Sequence, residues 1–463
     1  MEAITLKQLL QAVHGQLLGE YGNLETLISG VDTDSRNIHA GGLFLPLIGE
    51  RFDGHVYIDS ALESGAVGCL TTQEREHYRT DKFYIKVENT ELALRDLAVW
   101  YKQQFKIPFI AVTGSVGKTT TKDMIAAVLS VKYQVLKTEG NFNNNLGLPL
   151  TVLRLKRSDE ICVLEMGMDT VGEIDYLGAI VKPDVGVITN IGDAHIERLG
   201  SQENIFKAKC ELLPHIQPDG ILVANGDDRW LATLEGNAPV STVFCGKGEM
   251  LAYNAQVVDG DGTSFIRCHM HTPKWDSRTE IPALGEHMIY PATIAVAVAE
   301  HFGLTKEEIE QGLTQFVPTR MRMNILKRAQ GITILDDTYN ANPQSMRAAV
   351  SVLGDSRSEK KVAVLGDMLE LGMFSQALHT GVGEYVGKTD IKCLIAIGPQ
   401  AEAIAQGARD AGVPEVYHYM EKESAKETLR RMICADTTFL LKASRGMHME
   451  ELTEYLIEQT KEG

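Results

Sequence analysis

The chain is short of long apolar runs, of paired cysteines and of basic charge, and each shortage removes a class of function. No apolar stretch approaches the roughly 20 residues that a membrane-spanning helix needs. The opening MEAITLKQLLQAVHG has no basic start followed by an apolar core, so no secretory signal is expected and the cytoplasm is the expected compartment. Seven cysteines, an odd number scattered without CxxC spacing, suit reduced thiols better than a disulfide framework or a zinc site. Cys162, inside ICVLEMG, reads as a small core residue. Lysine and arginine number 45 against 62 aspartates and glutamates, for a net charge of −17. The basic patch that nucleic acid or an anionic membrane would require is therefore not expected. An anionic ligand must be met by local dipoles, magnesium or a few placed cations.

At 463 residues the chain exceeds what one core usually serves, and its 44% hydrophobic and 23% charged composition is that of a foldable, soluble protein. No short repeat or low-complexity tract interrupts it. The first hundred or so residues mix short strands (LISGV, GLFLPLI, AVGCLTT, FYIKV) with helices, ending in the amphipathic ELALRDLAVWYKQQF. After Pro108, FIAVTG, YQVLKT, ICVLEMG, DVGVITNIG and GILVANGD alternate with helical stretches, which predicts a parallel α/β sheet. A more antiparallel region over about 241 to 285 comes next, and MIYPATIAVAVAEHFG reads as a helix. Beyond FVPTRMRM, four apolar strands (GITILDDTYN, KVAVLGDM, CLIAIGP, FLLKASRG) predict a second doubly wound unit. The expected fold is α/β with three domains, at 1–106, 107–318 and 319–463. In open α/β sheets ligands sit beyond the carboxyl ends of strands, so the polar residues there are the candidates for chemistry.

VTGSVGKTTTKDMIAAVL runs strand, glycine turn, helix. Gly114 and Gly117 let the backbone curl so that successive N–H groups around Ser115 and Val116 face an anion, and the helix dipole adds positive potential at the same point. Lys118 can reach the β and γ phosphates, and the hydroxyl of Thr119, with Thr120 beside it, suits magnesium. The widest form of the motif has glycine where Val112 stands, so this is its shortened variety, and an ATP or GTP site follows. Magnesium needs one or two carboxylates beyond the phosphates. Glu165 ends the apolar strand ICVLE, where its charge has no packing purpose, although a solvated strand end would look the same. His195 in NIGDAHIERLG also follows a strand, and is either a ligand or a structural histidine.

SQENIFKAKCELL, residues 201 to 213, poses a sharper question. At about 100° per residue a helix here puts Ile205, Phe206, Leu212 and Leu213 on one face with Lys209 in its middle, while Lys207 points to solvent. A lysine shielded this way has a lowered pKa, and its neutral amine can take up carbon dioxide to form a carbamate, an anion able to bind a second magnesium beside Glu165 and His195. The competing reading is a snorkelling lysine with its head in water.

TGSVGKTTTK, GNFNNNLGLPLT, EMGMDTVGEI, NIGDAHIERLGS, FKAKCELL, GEHM, DDTYNANPQSM, GDMLELG and KASRGMHMEE occur in the order and at the rough spacing of the Mur ligases. The chain resembles that family from DTDSR near residue 32 to beyond residue 445. The resemblance implies an N-terminal domain for a uridine nucleotide, a central ATPase domain and a Rossmann-like C-terminal domain. DDTYNANP and KASRGM resemble the branch whose substrates are UDP-N-acetylmuramoyl-tripeptide and D-alanyl-D-alanine, with ATP, two magnesium ions and a carbamylated lysine at Lys209. By motif, Lys118 and Thr119 would hold phosphate and magnesium, and Glu165, His195 and Lys209 would bind metal. Asp34, Ser35, Arg36, Arg51, Asp53, Gly54 and His55 match the uridine diphosphate region, though bare turns use the same residues. Asn145 is similar to a residue that touches adenine, and Arg322 and Asp336 resemble the third domain's reach to the nucleotide. Tyr339, Asn340, Asn342, Lys442, Ser444 and Arg445 lie where the family places its dipeptide. The expected state is a monomer. Two departures stand out: Pro291 replaces an asparagine that helps recognise adenine, and Ala443 replaces the glycine of the common KGSRG, so that loop must use an ordinary backbone conformation. Rival readings are a ligase of the same superfamily for another amino acid, and a nucleotide-binding homologue without ligation.

Overall fold

Three large sheets, beside two two-stranded pairs, follow one another along the chain in the computed structural model, which describes residues 1–49 and 52–460. The first runs Gln16–Leu18, Phe83–Lys86, Gly68–Thr71, Gly42–Phe44, Gly30–Asp32, and only its first pair is antiparallel. Helix Thr90–Lys102 closes this unit. Asn89 starts it by accepting the Glu91 and Leu92 amides, and its buried Leu94, Leu97 and Ala98 recur at helical spacing. The hydroxyl of its Tyr101 donates to Leu155 O at 2.7 Å, tying the first unit to the second.

The second sheet has nine strands, in the order Val135–Lys137, Ile161–Glu165, Phe109–Thr113, Val185–Ile188, Ile221–Asn225, Ser241–Gly246, Tyr253–Gly260, Ile266–His271, Asp276–Ile281. Phe109–Thr113 comes first in sequence and lies between two parallel neighbours, with every residue buried. The chain builds outward from it in one direction and then the other, which opens a crevice beyond its carboxyl end. The expected antiparallel region is narrower than the sequence suggests. Ser241–Gly246 still runs parallel to Ile221–Asn225, and Tyr253–Gly260 joins it in parallel through Cys245–Tyr253 and Gly246–Asn254. Only the last two pairings are antiparallel, with Ile266–His271 the one reversed strand among them, so the region extends the central sheet. Helix Ile289–His301 is almost wholly buried and packs on helix Lys118–Leu129. Pro291 falls in its first turn, where the missing N–H would have had no helical partner.

The third sheet contains the four expected strands, Thr333–Asp336, Lys360–Gly366, Cys393–Ile397 and Thr437–Lys442, all parallel. Asn324–Lys327 adds an antiparallel edge and Glu415–Tyr419 a parallel one. Ala443 avoids positive φ, and its Cβ fits because Gly366 has none: a Cβ built on Gly366 would lie 2.7 Å from it. No helix among the described residues is long and apolar enough to cross a membrane.

Candidate functional site

The carboxyl ends of the second and third sheets face one another across a cleft of about 160 Å³. Ser115 to Thr120, Glu165 and Met288 line it from the central unit, and Arg322, Asp337, Asn340, Asn342 and Lys442 from the C-terminal unit.

The phosphate loop has the required backbone. Gly114 sits at φ 147°, and a Cβ there would lie 1.9 Å from Thr189 Oγ1, so both conformation and space require glycine. Gly117, at φ 81°, opens helix Lys118–Leu129. The first intrahelical bond is Thr121 N–H to Gly117 O at 2.8 Å, which leaves the amides of Lys118, Thr119 and Thr120 aimed into the cleft. The next strand's loop fixes the curl. Asn190 accepts from Val116 N through its side-chain oxygen at 2.9 Å and donates to Val116 O at 2.9 Å, and Thr189 Oγ1 donates to Val116 O at 2.6 Å. Ser115 is engaged too, its hydroxyl oxygen accepting from Gly192 N at 2.8 Å. The ammonium of Lys118 rests on Gly114 O at 2.9 Å. Burial lowers its pKa and the Arg322 guanidinium lowers it further, while Glu165 and Asp169 oppose them.

Glu165 is buried at the end of its strand. Its Oε1 accepts from Asn143 Nδ2 at 2.9 Å, whereas Oε2 has no hydrogen-bond partner. A buried carboxylate oxygen without a donor, in the cleft that Thr119 also lines, fits a hard cation. His195, at φ 62°, begins helix Ile196–Leu199. Its Nδ1 lies 2.9 Å from a Glu370 carboxylate oxygen and 3.3 Å from Asp169, while burial first and Lys118 second lower its pKa. Glu370 belongs to the C-terminal unit, so this contact joins the two units, although neither His195 nor Glu370 lines the cleft.

Helix Gln202–Cys210 is shorter than its apolar pattern suggested, and Leu212 and Leu213 continue in a turn and a 3-10 segment. Lys209 is nevertheless 2 % exposed, beside buried Ile205 and Leu212. Its pKa is well below the ordinary lysine value, by burial first and then by Lys118 nearby. Lys207 instead pairs with Glu203 at 2.7 Å on the exposed face. The snorkelling alternative is thereby excluded for the arrangement seen here.

Across the cleft the placement of Asp336 differs from expectation. Strand residues alternate in direction, and Asp336 points to the far side, where it accepts from Thr338 Oγ1 at 2.6 Å and burial raises its pKa. The next residue, Asp337, is the one facing the cleft, paired with Lys442 Nζ at 2.6 Å. The Arg322 guanidinium stacks 4.2 Å over the Tyr339 ring, and its Nε is buried without a partner. Asn340 O accepts from Lys442 at 2.8 Å. Asn342 caps helix Pro343–Asp355, and Ser444 Oγ accepts from Leu369 N at 2.9 Å, so both also hold the local backbone. Arg445 pairs with Glu450 at 2.9 Å away from the cleft lining. Asn145 does not line the cleft either, and its Oδ1 is buried without a partner.

The N-terminal candidates occupy loops of the first unit. Asp34 and Arg36 form an exposed fork, with bonds of 2.9 and 2.8 Å, and the Arg36 hydrogen bonds hold the Asp34 carboxyl down to about 2. Asp53 accepts from the His55 backbone and lies 2.6 Å from its ring Nδ1, while His55 Nε2 accepts from Thr72 N at 3.0 Å. Gly54 follows Asp53 into a 3-10 turn, Ser35 lies in the Asp34–Arg36 loop, and Arg51 lies outside the described residues.

Three family models match in series: "Mur ligase family, catalytic domain" over residues 27–101, "Mur ligase middle domain" over 112–299 and "Mur ligase, glutamate ligase domain" over 321–445. A Bacillus subtilis UDP-N-acetylmuramoyl-tripeptide--D-alanyl-D-alanine ligase is 39% identical over 98% of each chain. The chain belongs to the Mur ligase family. The Escherichia coli enzyme of the same name is 34% identical over 99% of both chains. Among solved structures, MurF from Acinetobacter baumannii superposes with a TM-score of 0.92 at 34% identity, covering 99% of each chain. MurF ligase from Thermotoga maritima in complex with ADP gives 0.83 at 28% identity, over 93% of this chain and 97% of that one. Use of ATP by this Mur ligase follows. Sequence reasoning overlooked Asp337, which stands beside the Asp336 it chose, and Glu370, although it had singled out GDMLELG.

Proposed function

We propose that this Mur ligase joins D-alanyl-D-alanine to UDP-N-acetylmuramoyl-tripeptide with cleavage of ATP, as a cytoplasmic monomer whose domains divide near residues 106 and 318. One observation carries the reading. A phosphate loop, a buried carboxylate with an open oxygen and three cations (Lys118, Arg322 and Lys442) converge on one cleft between two sheets. The tripeptide's terminal carboxylate attacks the γ phosphorus and ADP leaves, giving an acyl phosphate. The dipeptide amine then attacks the acyl carbon, and phosphate departs as the amine loses its proton.

Both partners in the first step are anions. Lys118 and the helix amides neutralise the charge that builds on the transferred phosphoryl group, and Arg322 reaches over the nucleotide from the other side. Thr119 and Glu165 would hold one magnesium ion, and His195 with a carbamylated Lys209 a second. When bound, magnesium supplies charge neutralisation at the phosphate oxygens. Lys209 suits carbamylation because its amine is buried and biased toward the neutral, nucleophilic form. Asp34, Ser35, Arg36, Arg51, Asp53, Gly54 and His55 take the uridine diphosphate end. Asn340, Lys442 and Tyr339 take the dipeptide side. The C-terminal unit closes over the cleft to keep water from the acyl phosphate.

The test is phosphate release by purified protein given ATP, magnesium and UDP-N-acetylmuramoyl-tripeptide, with and without D-alanyl-D-alanine. Release that needs the dipeptide supports the assignment. Release without it, or satisfied by a single amino acid, removes it.

A further inference from the structure

Lys122 stands one turn after Lys118 on the phosphate-loop helix, and nothing in the reaction above uses it. Its side chain is 3 % exposed. The ammonium donates to Thr138 O at 2.7 Å and lies 3.4 Å from Asp123 and 3.8 Å from Glu165 Oε2. The last distance is too long for a hydrogen bond, so Lys122 balances the charge of Glu165 while leaving that oxygen open. Thr138 serves both groups, since its hydroxyl oxygen accepts from Glu165 N at 3.0 Å.

Asp123 extends the network. Its side chain is 4 % exposed, with Oδ1 2.6 Å from Lys137 Nζ and Oδ2 accepting from the hydroxyl of Thr319. Thr319 directly follows Pro318 in the segment that joins the central and C-terminal units. Its carbonyl accepts from Arg322 N at 3.1 Å, closing the turn that presents the Arg322 guanidinium to the cleft. A continuous set of contacts thus runs from the open oxygen of Glu165 through Lys122, Asp123 and Thr319 to Arg322.

We propose that Lys122, Asp123 and Thr319 are positioning residues that register the C-terminal unit against the phosphate site, so that Arg322 is presented only when the central unit's buried charge pair is in place. The proposal rests on the ligase reading for its kinetic readout. Its structural readout is independent of that reading.

Thr319→Val removes the donor and keeps the shape, without touching the phosphate loop, Glu165 or Arg322. Its kcat is expected to fall about tenfold, the loss of one hydrogen bond to a charged group, and the Kd of a non-hydrolysable ATP analogue to rise by no more than that factor, because the analogue shifts the two units only by binding their registered arrangement more tightly. Thr319→Ser restores kcat to within about twofold. Asp123→Asn combined with Thr319→Val costs no more than the worse single change, because the two act as one contact. In parallel, trypsin cleavage after Arg320, whose side chain is 83% exposed, is followed with and without the analogue. The analogue protects this bond in the parent protein and in Thr319→Ser, and fails to protect it in Thr319→Val. Parent-like turnover by Thr319→Val, absence of rescue by serine, multiplying losses in the double variant, or protection that survives Thr319→Val each overturns the proposal. If the parent protein ligates nothing, the function reading fails and the protease experiment still decides this one.

Discussion

Replacing Lys209 by methionine separates what its amine does for catalysis from what it costs the fold. Methionine keeps an unbranched apolar stem of similar length and deletes only the amine, in a site that is 2 % exposed. An unfolded lysine stays protonated up to about pH 10.4, whereas burial holds the folded amine well below its usual value. Folding therefore strips a proton or buries a charge, a penalty the parent protein carries at neutral pH. Burying a polar group with incomplete compensation costs about 1–3 kcal/mol in proteins. The variant should gain that much, or about 2–12 °C in the melting transition of a domain of roughly 200 residues. The sign of the pH effect is fixed. Between the depressed folded pKa and the free value the unfolded state binds more protons, so parent stability rises with pH. The methionine advantage should shrink as pH goes from 7 toward 10. Ligation moves the opposite way, falling by about 100-fold or more if the amine becomes an electrostatic anchor. Bicarbonate with magnesium should raise the melting point of the parent by mass action and leave the variant unchanged. Thermal melts at three pH values, beside phosphate release, read all of this. A variant that melts several degrees lower, or turns over normally, refutes the argument.

Other outcomes follow from the same geometry. Lys118→Met should weaken ATP binding by about 100-fold in calorimetric titration, the loss of a charge-assisted phosphate contact, with an unchanged circular dichroism spectrum. Lys442→Met strands Asp337 and should cost about 3–5 kcal/mol in denaturant unfolding of the C-terminal unit, part of which Asp337→Asn recovers; a loss below about 1 kcal/mol would show that water already screens the pair. Lys209→Ala should lose most turnover and regain some of it when a short carboxylic acid is added, whereas acid without effect argues against a carbamate. Gly114→Ala drives a Cβ into Thr189 and should abolish nucleotide binding, read by the same titration.

The phosphate loop was legible because its demands are local: two glycines at positive φ and a helix start, all within a few residues. Lys209 was legible for a related reason, since periodicity alone places a lysine on an apolar face. The choice between Asp336 and Asp337 was not. Which neighbour faces the cleft depends on the pleat of the strand and its pairing with Thr437–Lys442, a contact between segments about a hundred residues apart. Lys122 reads as any helical lysine because its burial comes from Thr138 and Glu165, at and just beyond the ends of two strands distant in sequence. Glu415–Tyr419 escaped notice as a strand because it is a half-exposed edge without an apolar run, and the antiparallel edge Asn324–Lys327 is likewise only partly buried.

The cleft between the facing sheets holds about 160 Å³, well under the roughly 300 Å³ at which small-molecule pockets begin. As it stands the cleft is too small for a nucleoside triphosphate and the peptide substrates together, so a swing of the C-terminal unit about the Pro318 segment is the expected companion of binding. A rigid compound lodged at Pro318, which lines that cleft, would act as a doorstop that holds the two halves apart.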